Sequence, residues 1–156
     1  GGLSNVPSSR LQMLTDDLNV LADGYDFVIL DLGAGVERTA RQLAYNSDTC
    51  VVVLTDEPTS LTDAYAFIKV THAERSDINF QIVANSVNST REGERTYNTL
   101  LKACEGFLKI SPPLLGTIRR DALVKEAIRN QIPLLTRNPE AEAAEDVEKI
   151  AASLIS

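Results

Sequence analysis

The polar residues of this 156-residue chain that could do chemistry each stand close behind a short apolar run. Asp31 closes the run YDFVIL at 25–30 and is followed by Gly33 and Gly35. Thr55 closes CVVVL at 50–54 and leads into Pro58 and Thr59. Asn85 closes FQIVA at 80–84, with Asn88 behind it, and Arg119, Arg120 and Asp121 follow LLGTI at 114–118. A carboxylate, a hydroxyl, an amide and two guanidinium groups at such positions are ligand-binding groups, because open α/β sheets hold ligands beyond the carboxyl ends of their strands. Other chemistries find less. Cys50 and Cys104 lie far apart in apolar segments, with no CxxC or histidine spacing, and read as buried free thiols rather than a disulfide or metal site. His72, a lone histidine within a helical pattern, reads as structural.

These groups need a scaffold, and the spacing of apolar residues supplies one. Leu11, Leu14, Leu18 and Leu21 predict an amphipathic helix that Ser8 or Ser9 caps and Gly24 stops. YDFVIL predicts a buried strand with a tight turn after Asp31, residues 36–45 a helix, and CVVVL a strand buried on both faces. Ser60 and Asp63 form a candidate capping box, from which Leu61, Ala64, Tyr65 and Ile68 would face the core. FQIVA is a third strand. A long helix over 91–108 would carry Tyr97, Leu100, Leu101, Cys104 and Phe107 on its apolar side. Pro112 and Pro113 break the chain before LLGTI, the fourth strand; Asp121 caps a helix through Ile128, and Pro139 opens a last helix through Ile155. Strands alternating with helices predict parallel pairing in a three-layer α/β sandwich, one domain over 1–156.

Hydrophobic residues make up 44% and charged residues 24%, the balance of a soluble globular domain. The formal net charge of -7 argues against the broad electropositive face that duplex DNA needs, so no direct nucleic-acid partner is expected. No apolar run approaches the roughly 20 residues of a membrane span. The start, Gly1-Gly2-Leu3-Ser4, lacks the basic and apolar regions of a signal peptide, and a cytoplasmic location is expected. The end, AEAAEDVEKIAASLIS, is acidic at its start with Lys149 its lone cation, which reads as a docked helix rather than a membrane-binding one.

The segment YDFVILDLGAGVE resembles the second nucleotide-binding motif of MinD/ParA ATPases, P-loop proteins of the SIMIBI class. The resemblance implies that Asp31 supports Mg²⁺ through water and that the Gly35 amide meets the γ-phosphate, since no side chain intervenes. TDEPTSLTDAYAFIKV is similar to the corresponding stretch of the flagellar-number members, FlhG and FleN, and implies that the loop at Thr55 and Pro58 lines the nucleotide or a dimer face. FQIVANSVN places Asn85 where the family has a residue near adenine, whose N6/N7 edge an amide can match. LLGTIRRDALVKEAIRNQIPL resembles the closing strand, loop and helix, although Arg119 stands where the family has a proline, so its contact with the nucleotide is open.

The resemblance runs from about Leu11 to Ile155 and covers only the later part of the family's domain. Neither GxxxxGK[ST] nor a KGGxGK stretch occurs in this sequence. The implied intact protein binds ATP and Mg²⁺, forms a homodimer around them, hydrolyses ATP when an activating protein partner stimulates it, and sets flagellum number and placement. A peripheral site at the inner membrane is open for it, though nothing here encodes membrane association. This chain alone is expected to bind no nucleotide. Two strands, YDFVIL and CVVVL, should be left with open edges and should pair with each other or with a further strand. Rival readings are a division-site or chromosome- and plasmid-partitioning ATPase, an iron–sulfur assembly relative, a non-catalytic module on the same fold, and a response-regulator receiver domain phosphorylated at Asp31. The receiver lacks its acidic pair, and Asn85 stands where it needs lysine.

Overall fold

The computed structural model describes residues 7–155. Three strands, β1 (Cys50–Leu54), β2 (Phe80–Val87) and β3 (Leu114–Arg119), form one sheet in the order β1-β2-β3, both pairs parallel. Around it stand α1 (Ser8–Ala22), α2 (Arg38–Tyr45), α3 (Pro58–Glu74), α4 (Thr90–Ala103), α5 (Ala122–Asn130), α6 (Leu134–Arg137) and α7 (Glu142–Leu154). The expected α/β sandwich with a parallel sheet is therefore present.

Alternation along the strands decides which helix goes where. Val52, Leu54, Phe80 and Ile82 point to one face and pack with Ala64 and Ile68 of α3 and Leu100 of α4; Ile68 is fully buried. The two small residues of β3 set the approach of its helices. A Cβ at Gly116 would stand 2.5 Å from Ile150 Cγ1 of α7, and one at Gly93 of α4 would stand 2.5 Å from Thr117 Cγ2. Neighbouring residues of a strand face opposite ways, so α7 and α4 cover opposite faces of β3. Val51 and Val53 on β1 stay exposed, at 37% and 55%, which corrects the expectation of a strand buried on both faces.

The larger correction concerns residues 25–30. They form no strand: Ile29 is 91% exposed, Phe27 65% and Tyr25 66%. They pair neither with β1 nor with another strand, so the expected closure of the gap does not occur among the described residues. Strand propensity measures fit to a neighbouring pleated surface, and this run has no ladder beside it.

Smaller departures have local causes. Ser60 does not cap α3, because α3 begins earlier, at Pro58 behind Glu57. α1 starts behind Pro7 without a side-chain cap; of its leucines Leu11 is buried while Leu14 and Leu21 are exposed. The long helix widens into a π turn over Cys104–Leu108, which rotates Phe107 off the apolar side and leaves it 79% exposed. The last helix opens at Glu142, three residues beyond Pro139. Asp121 does cap α5, its carboxylate accepting the Leu123 N–H at 2.8 Å. Cys104 is buried and Cys50 half-buried, both as free thiols. The amino-terminal residues 1–6, read above for a signal peptide, lie outside the described part.

Candidate functional site

The carboxyl ends of the three parallel strands make a rim, and four of the singled-out residues stand on it. Thr55 follows β1. Its N–H donates to Ser60 Oγ at 2.9 Å, and its own Oγ1 accepts from Glu57 N–H at 3.4 Å, so the loop folds back on the first turn of α3. Pro58 is the first residue of that helix, where a fixed φ suits entry and no N–H is missed. Asn85 lies in β2, half-buried, opposite Ile118 of β3; among the described residues its side-chain amide has no hydrogen-bond partner. Arg119 ends β3.

Arg119 is held, rather than offered. Its Nε donates to Asp146 Oδ2 at 2.8 Å and Nη2 to Asp146 Oδ1 at 2.9 Å, while Nη1 donates to Glu142 Oε1 at 2.6 Å. The Arg119 backbone N–H donates to the same Asp146 carboxylate at 3.0 Å. Burial pushes the Asp146 carboxyl up, but the Arg119 guanidinium and backbone N–H together bring it below the usual aspartate range. The arginine thus ties α7 to the rim.

Gly35 stands on the flank of β1, beside the start of α3, and Asp31 directly precedes the loop that carries it. Asp31 is exposed and, among the described residues, makes no hydrogen bond or ion pair. Gly35 has φ +115°, a conformation that suits glycine, and among the described residues its amide donates no hydrogen bond. The loop carrying Gly35 borders a groove of about 400 Å³, lined by Leu32–Gly35 on one side, the outer edge of β1 on another, and Thr59, Ser60 and Asp63 of α3. Behind the loop, α2 is anchored to the far end of α3. Arg41 donates to Glu74 Oε1 at 3.0 Å, Tyr45 donates its hydroxyl to the same carboxylate, and Arg75 Nη1 donates to the Tyr45 carbonyl at 2.8 Å. The structure therefore brings Gly35 and the start of α3 to one groove, and Asn85 and Arg119 to the β2–β3 rim.

An adenine nucleotide with Mg²⁺ finds part of what it needs here. A bare carboxylate can hold a metal-bound water, a bare glycine amide can meet a phosphate, and an unpartnered amide can meet a base edge. The groove lining, however, contains Asp63 and no lysine or arginine, so it offers no cation to a triphosphate. Asp146, which holds Arg119, escaped the sequence reading, and the roles of two residues it did name were missed: Ser60 ties down the Thr55 loop, and Arg120 folds back on Ser86. Ser60 lay within a singled-out segment; the other two act across about thirty residues of chain, where spacing carries no signal.

Residues 4–155 match the family model described as cellulose biosynthesis protein BcsQ. The chain belongs to the BcsQ family, of the MinD/ParA type. This BcsQ-family chain is 30% identical over 150 residues to the flagellum site-determining protein YlxH of Helicobacter pylori, covering 96% of this chain and 50% of the relative. It is 29% identical over 124 residues to the antiactivator FleN of Pseudomonas aeruginosa, covering 80% of this chain and 44% of the relative. The solved structure of the cell division ATPase MinD of Pyrococcus furiosus superposes with a TM-score of 0.72 at 22% identity, over 92% of this chain and 57% of that one, a likeness of fold. The chain spans about half the length of the curated relatives it matches. No helix among the described residues is long and apolar enough to cross a membrane.

Proposed function

We propose that this chain supplies the metal-binding and base-binding half of a nucleotide-dependent spatial regulator, one that sets flagellum number or placement. The observation that carries the proposal is the position of the loop Leu32–Gly35, laid along the open flank of β1 beside the first turn of α3, with a left-handed glycine and the exposed carboxylate of Asp31 directly before it. In this reading Asp31 holds a water of the Mg²⁺ shell and the Gly35 amide meets the terminal phosphate. Thr55 and Pro58 close the adjacent wall, and Asn85 meets the base. Arg119, occupied by α7, contributes the position of its loop rather than a free charge. The cations for the triphosphate come from a segment that fills the groove against β1. ATP hydrolysis then rests on positioning and charge stabilisation, within a dimer and under an activating partner.

The names of YlxH and FleN favour the flagellar process over cell division or partition. The phospho-acceptor alternative for Asp31 lacks support, because the position that needs a lysine holds Asn85.

A chimera tests the proposal. This chain replaces the matched 124 residues of FleN, and MgATP binding and hydrolysis are measured beside Asp31→Ala in the same frame. We expect hydrolysis in the chimera and loss of at least about tenfold on substitution, with the fold retained since Asp31 is exposed. A folded chimera that binds no ATP, or an Asp31→Ala variant as active as its parent, refutes it. The chain by itself is expected to show no tight ATP binding by calorimetry.

A further inference from the structure

The least ordinary backbone at the rim is Ser86, a non-glycine residue in the left-handed region at φ 57° inside a strand. It is the extra residue of a bulge: Asn85 stands opposite Ile118 and Val87 opposite Arg119, with nothing across from Ser86. Such a conformation is costly for a residue with a Cβ and persists only where the surroundings over-determine it, commonly at functional sites. Here the surroundings are Arg120. Its backbone N–H donates to Val87 O at 2.8 Å and continues the ladder. Its guanidinium turns back, Nε donating to Ser86 Oγ at 3.3 Å and Nη2 to Ser86 O at 3.2 Å. On the other side of the bulge Glu92 Oε2 accepts the Asn88 N–H at 2.9 Å, while Ser89 Oγ accepts the Glu92 N–H at 3.2 Å. The loop after Asn85 is pinned at both ends.

We propose that Arg120 is a positioning residue for base recognition: by clamping Ser86 in the bulge it fixes the direction in which Asn85 leaves the strand. The proposal rests on the reading of Asn85 as the base contact. Adenine presents a donor at N6 and an acceptor at N7, whereas guanine presents two acceptors, O6 and N7. An amide carries both a donor and an acceptor, so it prefers adenine only when its approach is held. A bulge re-aims the residues beside it, and Arg120 keeps this one from relaxing. Among the described residues Arg120 makes no ion pair, and its guanidinium hydrogen bonds go to Ser86 alone.

The test uses this chain and two nucleosides, adenosine and guanosine, at millimolar concentration, followed by the side-chain NH₂ resonances of Asn85. Thermal unfolding is recorded for each variant. Adenosine is expected to shift those resonances more strongly than guanosine. Arg120→Ala should weaken adenosine binding about tenfold and erase the preference between the bases. Ser86→Gly combined with Arg120→Ala should restore both to within about threefold of the parent, because glycine enters the left-handed region without a clamp. Arg120→Lys, which keeps the charge and cannot bridge both Ser86 oxygens in the same fork, should fall with the alanine variant and stands in for it if that one fails to fold. Unchanged affinity and preference in the alanine and lysine variants overturn the proposal. A double variant as weak as Arg120→Ala overturns it too, since charge would then be the cause. No shift of Asn85 in the parent chain refutes the base-contact reading itself, and the clamp's role with it.

Discussion

Gly116 is where α7 sits down on β3, and Gly116→Ala tests whether that contact places the helix. A methyl group there would lie 2.5 Å from Ile150 Cγ1 and 3.0 Å from Cδ1. Carbon atoms prefer about 3.5–4.0 Å, so the helix must retreat by roughly 1 Å or Ile150 must leave its rotamer. The nearer atom is bonded to Cβ and is not a flexible tip, so the cost belongs at the upper end of the roughly 1–3 kcal/mol seen for overpacking. Ile150→Ala alone should cost less than the roughly 2–5 kcal/mol of a fully buried site, about 1–2 kcal/mol, because Ile150 is half-buried. With both changes the clash is gone and the methyl introduced on β3 fills part of the space. The double variant should then be more stable than the sum of the singles predicts by at least about 1 kcal/mol. Urea unfolding followed by circular dichroism at neutral pH reads all four corners of the cycle. Additivity within about 0.5 kcal/mol would show that Gly116 does not set the seat of α7.

Two further expectations follow from the same geometry. Burial pushes the Cys50 thiol up to about 11; alkylation at pH 8 should therefore run roughly two orders of magnitude slower than for an unstructured cysteine, and equal rates by mass spectrometry would contradict that burial. Asp146 has a folded value held below the ordinary one, the net of burial raising it and the stronger hold of Arg119 lowering it. Its contribution is therefore complete above the ordinary aspartate value of about 4 and is lost as pH falls through the lowered folded value, so Asp146→Asn should destabilise at pH 7 and the gap to the parent should narrow as the pH is taken into the acid range in urea unfolding; a gap unchanged with pH argues against the clamp.

Much of this architecture is legible in the order of residues. CVVVL, FQIVA and LLGTI are short apolar runs flanked by turn formers, and all three became strands of one parallel sheet. What failed depended on neighbours. YDFVIL has the composition of a strand, yet a strand needs a ladder, and none stands beside it. Phe107 keeps helical spacing with Leu100 and Cys104, but the π turn changes the period before it arrives. β2 runs on through Asn85 and Val87 because Ser86 steps out of line, an event that no apolar pattern records. At the rim the polar residues were visible as residues after apolar runs; Thr55 does follow β1, whereas Asn85 lies inside β2, Arg119 is the last residue of β3, and Asp31 follows no strand. Their partners were not visible: Arg119 stood as an open nucleotide contact in the sequence, and α7 brings Asp146 to it from 27 positions away.

The uncovered flank of β1 has a practical consequence. Main-chain donors and acceptors in a row recognise any extended polypeptide, whatever its side chains, so discrimination there falls to Val51, Val53 and the shape of the groove. A cell or a test tube rich in this chain holds many such ribbons, among them residues 25–30 of its own copies. Precipitation that accelerates steeply with protein concentration, and eases when Ile29 is made charged, is the behaviour such an open seam imposes.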